Sequence, residues 1–153
     1  HSFNLQQLSN NLIDELKRQD QSGMVFDNLV PHSRFIKINK QNIHVPLRPK
    51  HNKTIGNWAS VVFADPARIK TDYLQAINDL RTASDELNRE PSLFLLKPSE
   101  ENLKNLNQSR VNQIDEVIDK LDSTLKPQGI KLYSCSTLED LANEVYIWDK
   151  SVA

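Results

Sequence analysis

Between Asp27 and Asp65 the chain carries six cationic side chains, Arg34, Lys37, Lys40, Arg48, Lys50 and Lys53, and no carboxylate. The formal charge of the whole sequence is only -1, so this excess is local and the remainder is acidic. Clustered Arg and Lys side chains make charge-assisted hydrogen bonds to phosphate oxygens. Residues 34–53 are therefore a candidate anion-binding segment, for inositol phosphate, phosphoinositide or nucleic acid. Nucleic acid fits least, because only Trp58 stands nearby and a stacking platform needs interleaved aromatic residues. The competing reading is intramolecular: a basic hairpin packed beside acidic helices, its charges simply solvated.

A second chemistry rests on Cys135, the single cysteine of the sequence. A thiol attacks as the thiolate, which needs a helix N-terminus or an imidazolium beside it. Cys135 stands just before Ser136 and Glu139, spaced as a capping box that opens a helix. It reads equally well as a small buried residue at a strand end. His44 alternates with Ile43 and Val45, so on a strand it points away from their apolar face. His51 takes its place if the register slips by one residue. A base of this kind wants a carboxylate on its second nitrogen. Asp65 is the candidate, although Asp before Pro66 also suits a helix cap. One cysteine excludes an internal disulfide framework and a Cys-rich zinc site, and fits a reducing compartment or a protein that crosses an oxidising one quickly. With no HExxH helix, EF-hand loop or Gly-rich phosphate loop, no metal is expected.

These residues need elements to hold them, and 153 residues suffice for a single domain spanning 1–153. Hydrophobic content is 38%, yet the apolar positions are strongly patterned. Leu5, Leu8, Leu12, Ile13 and Leu16 predict an amphipathic helix over 4–19. SRFIKI and NIHVPL predict a hairpin across NKQN, and WASVVFA a third strand after a RPKHNKTIGN loop. Asp65-Pro66 opens a long helix to about Arg89, where Pro91 stops it. Ser99 caps a second long helix reaching Leu125, and IKLYSC and a final helix follow. The fold class is α+β, a small mixed or antiparallel sheet of about four strands with long helices that include a helical hairpin. The longest apolar runs are too short to span a bilayer. A start at His-Ser-Phe suggests a piece excised from a longer protein.

Taken in order, Ser33-Arg34-Phe35-Ile36, Ile43-His44, Lys50-His51 and Phe63-Ala64-Asp65-Pro66-Ala67 resemble the YopJ-type bacterial effector acetyltransferases. Those enzymes share the fold of the clan CE cysteine proteases. The similarity covers roughly 33–67 and, more weakly, 130–148. It implies a catalytic set of His44, Asp65 and Cys135, with Gln128 as the oxyanion-hole candidate. Gln128 lies seven residues before the cysteine, and Ser134 and Ser136 flank it where the family has an acid and a glycine. The resemblance further implies acetyl-CoA as acyl donor, inositol phosphate as activator and a host protein as substrate or partner. A secreted effector acting in host cytoplasm is the location it implies; the residues by themselves fit a cytoplasmic protein. Protease-like members of the clan would use the same centre with water.

Overall fold

The computed structural model describes residues 5–51, 53–61 and 66–151. Helix α1 (Leu5–Gln19) buries Leu8, Leu12, Ile13 and Leu16 along one stripe, as its spacing predicts. A short helix α2 (Met24–Leu29) follows. Asp20 shapes the turn between them by accepting the Phe26 backbone N–H at 2.8 Å, while Gly23 takes the left-handed φ of 76°. Strands β1 (Phe35–Ile38) and β2 (Gln41–His44) pair antiparallel, with Phe35 opposite His44. Asn39 and Lys40 form their turn with φ of 51° and 67°, the positive pair that matches the twist of a hairpin.

Strand β3 (Thr54–Ser60) then leads through helix α3 (Pro66–Leu87) to β4 (Glu90–Leu96). Helices α4 (Glu100–Lys104) and α5 (Gln108–Leu125), then a 3-10 turn over Lys126–Gln128, lead to β5 (Lys131–Cys135). Helix α6 (Leu138–Ser151) completes the described chain. Strands β3, β4 and β5 form a parallel sheet in that order. The described residues thus contain one small antiparallel sheet and one parallel sheet, within an α+β fold.

Two successive crossovers stepping the same way put α3 and α5 on one face of the parallel sheet. There Ile55, Ala59, Leu93 and Leu95 meet Tyr73, Ile77, Leu80, Ile114 and Leu121. Helices α1 and α6 cover the other face, over Trp58, Phe94 and Leu96. Strand β4 is central and buried on both sides, which is why its run SLFLL is continuously apolar. The expected side-by-side packing of the two long helices holds, but β4 lies between them in the chain. They run parallel as crossover helices, not as an antiparallel hairpin.

Three further boundaries differ from the sequence reading. Strand β3 begins at Thr54, inside the predicted loop, because Gly56 is a contact position rather than a turn. A Cβ there would stand 2.9 Å from Leu47 Cδ1 and 3.2 Å from Phe94 Cε2. The predicted second long helix is broken at Asn105–Asn107, where the Asn107 side chain caps α5 by accepting from Arg110 N–H at 2.8 Å. The last helix is capped by Thr137, whose hydroxyl accepts from Asp140 N–H at 3.1 Å, one residue beyond the expected Ser136. Pro91 is tolerated in a central strand for a geometric reason. Glu90 bonds toward β3, so position 91 faces β5, which pairs only from Ser92 onward.

Candidate functional site

The segment after β2 is laid along the outer edge of β3. Leu47 and Gly56 exchange both backbone hydrogen bonds, at 3.1 and 2.8 Å. The chain is then tied to the end of α2, with Arg48 N–H donating to Leu29 O and Lys50 N–H to Asn28 O, both at 2.9 Å. These ties bring Arg34 and Lys50 together with Lys17 of α1 around a cleft of about 970 Å³. His32, Asp20, Gln21, Asp27 and Phe26 complete its polar and aromatic lining. Lys17 Nζ sits 5.5 Å above the centroid of Phe26. The carboxylate of Asp20 is already engaged by Phe26 N–H and the Ser22 hydroxyl. Arg34 Nε is buried without a hydrogen-bond partner.

The six cations of the segment therefore have different situations. Arg34 and Lys50 face this cleft. Lys37 and Lys40 stand exposed on the hairpin, and Lys53 borders a separate depression with Asp85, Arg89 and Glu90. Arg48 is structural: its guanidinium donates to Val45 O at 3.1 Å and to Ser33 O, and burial pushes its pKa down. It is corrected from an anion ligand to a brace between the two ends of the hairpin. Lys17 was missed, since nothing in the sequence reveals that α1 packs beside residue 34.

His44 is buried at the joint between hairpin and sheet. Its Nδ1 lies 2.7 Å from Asn57 Oδ1. Asn57 Oδ1 also accepts Trp58 N–H at 2.9 Å, while its Nδ2 donates to Ala76 O at 3.2 Å. With the amide so oriented, Nδ1 of His44 must carry the proton. Asp79 accepts the His44 backbone N–H at 3.3 Å and the Gln75 amide at 3.1 Å. Burial holds the His44 pKa below its ordinary value against the Asn57 bond, and nearby Arg34 lowers it further. The unfolded chain consequently binds a proton that the folded chain refuses, so stability should fall as pH drops from about 6.5 toward the lowered folded value. Thermal midpoints taken across that window should show the fall, and His44→Gln should flatten it. Asp79, raised chiefly by burial, acts in the opposite sense at lower pH.

Of the expected catalytic set, His44 and Cys135 are not brought together. His44 lies outside β3, whereas Cys135 closes β5 at the opposite edge of the sheet. Asn57 is level with Leu93 and Leu132, so the cysteine lies about 10 Å across and about 10 Å along the sheet from it. The two also occupy opposite faces, because Asn57 bonds α3 and Cys135 packs with the α1 and α6 side. Gln128 is at the other end of β5 from Cys135, donating to Thr124 O at 3.0 Å. His51 is exposed in the loop after β2, and Asp65 lies outside the described residues.

The Cys135 thiol is pushed up by burial and by Glu144 and Asp140, with Lys97 opposing. It should alkylate with iodoacetamide more slowly than free cysteine at neutral pH. A faster reaction, timed by mass spectrometry, would restore an activated nucleophile. Among the described residues no group of three or more His, Cys, Asp or Glu side chains is placed to hold a metal. No described helix is long and apolar enough to cross a membrane. No protein-family model, curated protein or solved structure matches this chain.

Proposed function

We propose that this domain is a non-catalytic binding module that takes a phosphate-bearing anion, of the inositol phosphate or phosphoinositide class, in the cleft between α1, α2 and the segments that flank the hairpin. The observation that carries the reading is the convergence of Arg34, whose buried Nε has no hydrogen-bond partner, with Lys17 and Lys50 on one cleft. A buried donor without an acceptor costs about 1–3 kcal/mol, which a phosphate oxygen would relieve. Lys17 and Lys50 supply further charge around the same space, and His32 stands beside them. Acyl transfer finds no such support, since Cys135 and His44 lie at opposite edges of the parallel sheet.

Calorimetric titration with inositol hexakisphosphate tests the reading, and vesicles containing phosphoinositide distinguish a headgroup from a free ligand. Arg34→Gln and Lys50→Ala should each weaken binding by about tenfold or more, an effect that grows at low salt. Lys37→Ala on the exposed hairpin should leave it nearly unchanged. Binding that survives the Arg34 and Lys50 changes together would defeat the proposal.

A further inference from the structure

The two edges of the parallel sheet are finished differently. At β3 the outward groups of Gly56 are paired with Leu47, and the outward N–H of Trp58 is covered by the Asn57 side chain. At β5 no described strand lies outside. Lys97 N–H bonds Cys135 O, so the odd residues of β5 face β4, and the N–H and C=O groups of Leu132 and Ser134 point outward. Ser134 is exposed, and Leu132 is half-buried.

We propose that a second copy of this chain pairs with β5 antiparallel, about a two-fold axis passing beside Tyr133. Leu132 of each copy then exchanges both backbone hydrogen bonds with Ser134 of the other. Tyr133 meets its own counterpart in a close, non-hydrogen-bonded pair. Its ring already stacks on Phe94 across the strands, with centroids 5.0 Å apart and planes 12° from parallel. The pairing continues that aromatic row across the new strand boundary.

Charge selects this partner and register. Lys131 comes opposite Cys135 of the other copy, on the α6 face. Asp140 and Glu144 lie one helical turn apart on α6, which packs on the face of β5 that carries Cys135, with the Lys97 ammonium as the opposing charge that also acts on that thiol. A lysine on an edge strand ordinarily discourages pairing. Here the two-fold delivers it to two carboxylates, twice per dimer, while a strand without a matching cation gains nothing there.

Sedimentation of the whole chain over a concentration series tests this. The expected result is a mass rising from 17.6 kDa toward twice that value. Ser134→Pro removes an outward N–H that the monomer does not use, and should weaken association by about tenfold or more. Lys131→Glu should do likewise by repulsion, and adding Asp140→Lys and Glu144→Lys to it should restore the dimer. Circular dichroism checks that Ser134→Pro still folds; if it does not, Lys131→Glu and its restoration decide. A chain that stays at 17.6 kDa at the highest concentration, or a dimer indifferent to both changes, overturns the inference.

Discussion

Trp58→Ala should lower the unfolding free energy by about 3–5 kcal/mol, the cost of emptying a large buried site. Trp58 is fully buried in the core between the sheet and α1. Its Nε1–H donates to Ser9 Oγ at 2.8 Å, and its ring stands edge-on to His44 at 6.0 Å. The substitution removes one of the contacts that hold α1 on the sheet, and α1 is also one wall of the anion cleft. Chemical denaturation followed by circular dichroism measures the loss. Trp58→Phe keeps most of the packing and should cost clearly less. Equal losses in the two variants would mean that the Ser9 bond, rather than the ring volume, dominates.

Asn57→Ala should cost about 2–6 kcal/mol, because two buried donors lose their acceptor at about 1–3 kcal/mol each. Those donors are His44 Nδ1–H and the outward backbone N–H of Trp58. Ala76 O loses a donor as well. Asn57 thus helps to fasten the hairpin, caps an outward N–H at the edge of β3 and bonds α3. The same denaturation experiment reads the result, and a loss under about 1 kcal/mol would mean that water replaces the amide easily. Because Arg34 adjoins the hairpin joint, binding by this variant should weaken along with its stability.

How far the sequence reveals these features depends on what each residue does. Alternation and turn chemistry specified the hairpin, and helical spacing specified α1 and the last helix. The parallel sheet was harder to read, since Gly56 and Asn57 resemble turn residues and Pro91 resembles a stop. Each is explained by a tertiary contact: Leu47 against Gly56, His44 against Asn57, and the absent β5 partner beside Pro91. Helix α2 has only six residues and no periodicity to detect. At the site, the local excess of cations drew attention to Arg34 and Lys50. It could not separate them from Arg48, whose charge is spent on backbone carbonyls. Asp79 did leave a trace, as a carboxylate beside the apolar stripe of Tyr73, Ala76, Leu80 and Ala83 on α3. Cys135 drew attention by its type, and its distance from His44 depended on strand order, which spacing along a chain does not encode.

The most direct test of the anion cleft observes the Arg34 Nε–H itself. In arginine side-chain nitrogen-proton correlation spectra, adding inositol hexakisphosphate should shift the signal assigned by its loss in Arg34→Gln. The Arg48 signal, held by Val45 O, should stay in place. An Arg34 resonance unmoved at saturating ligand would contradict the account.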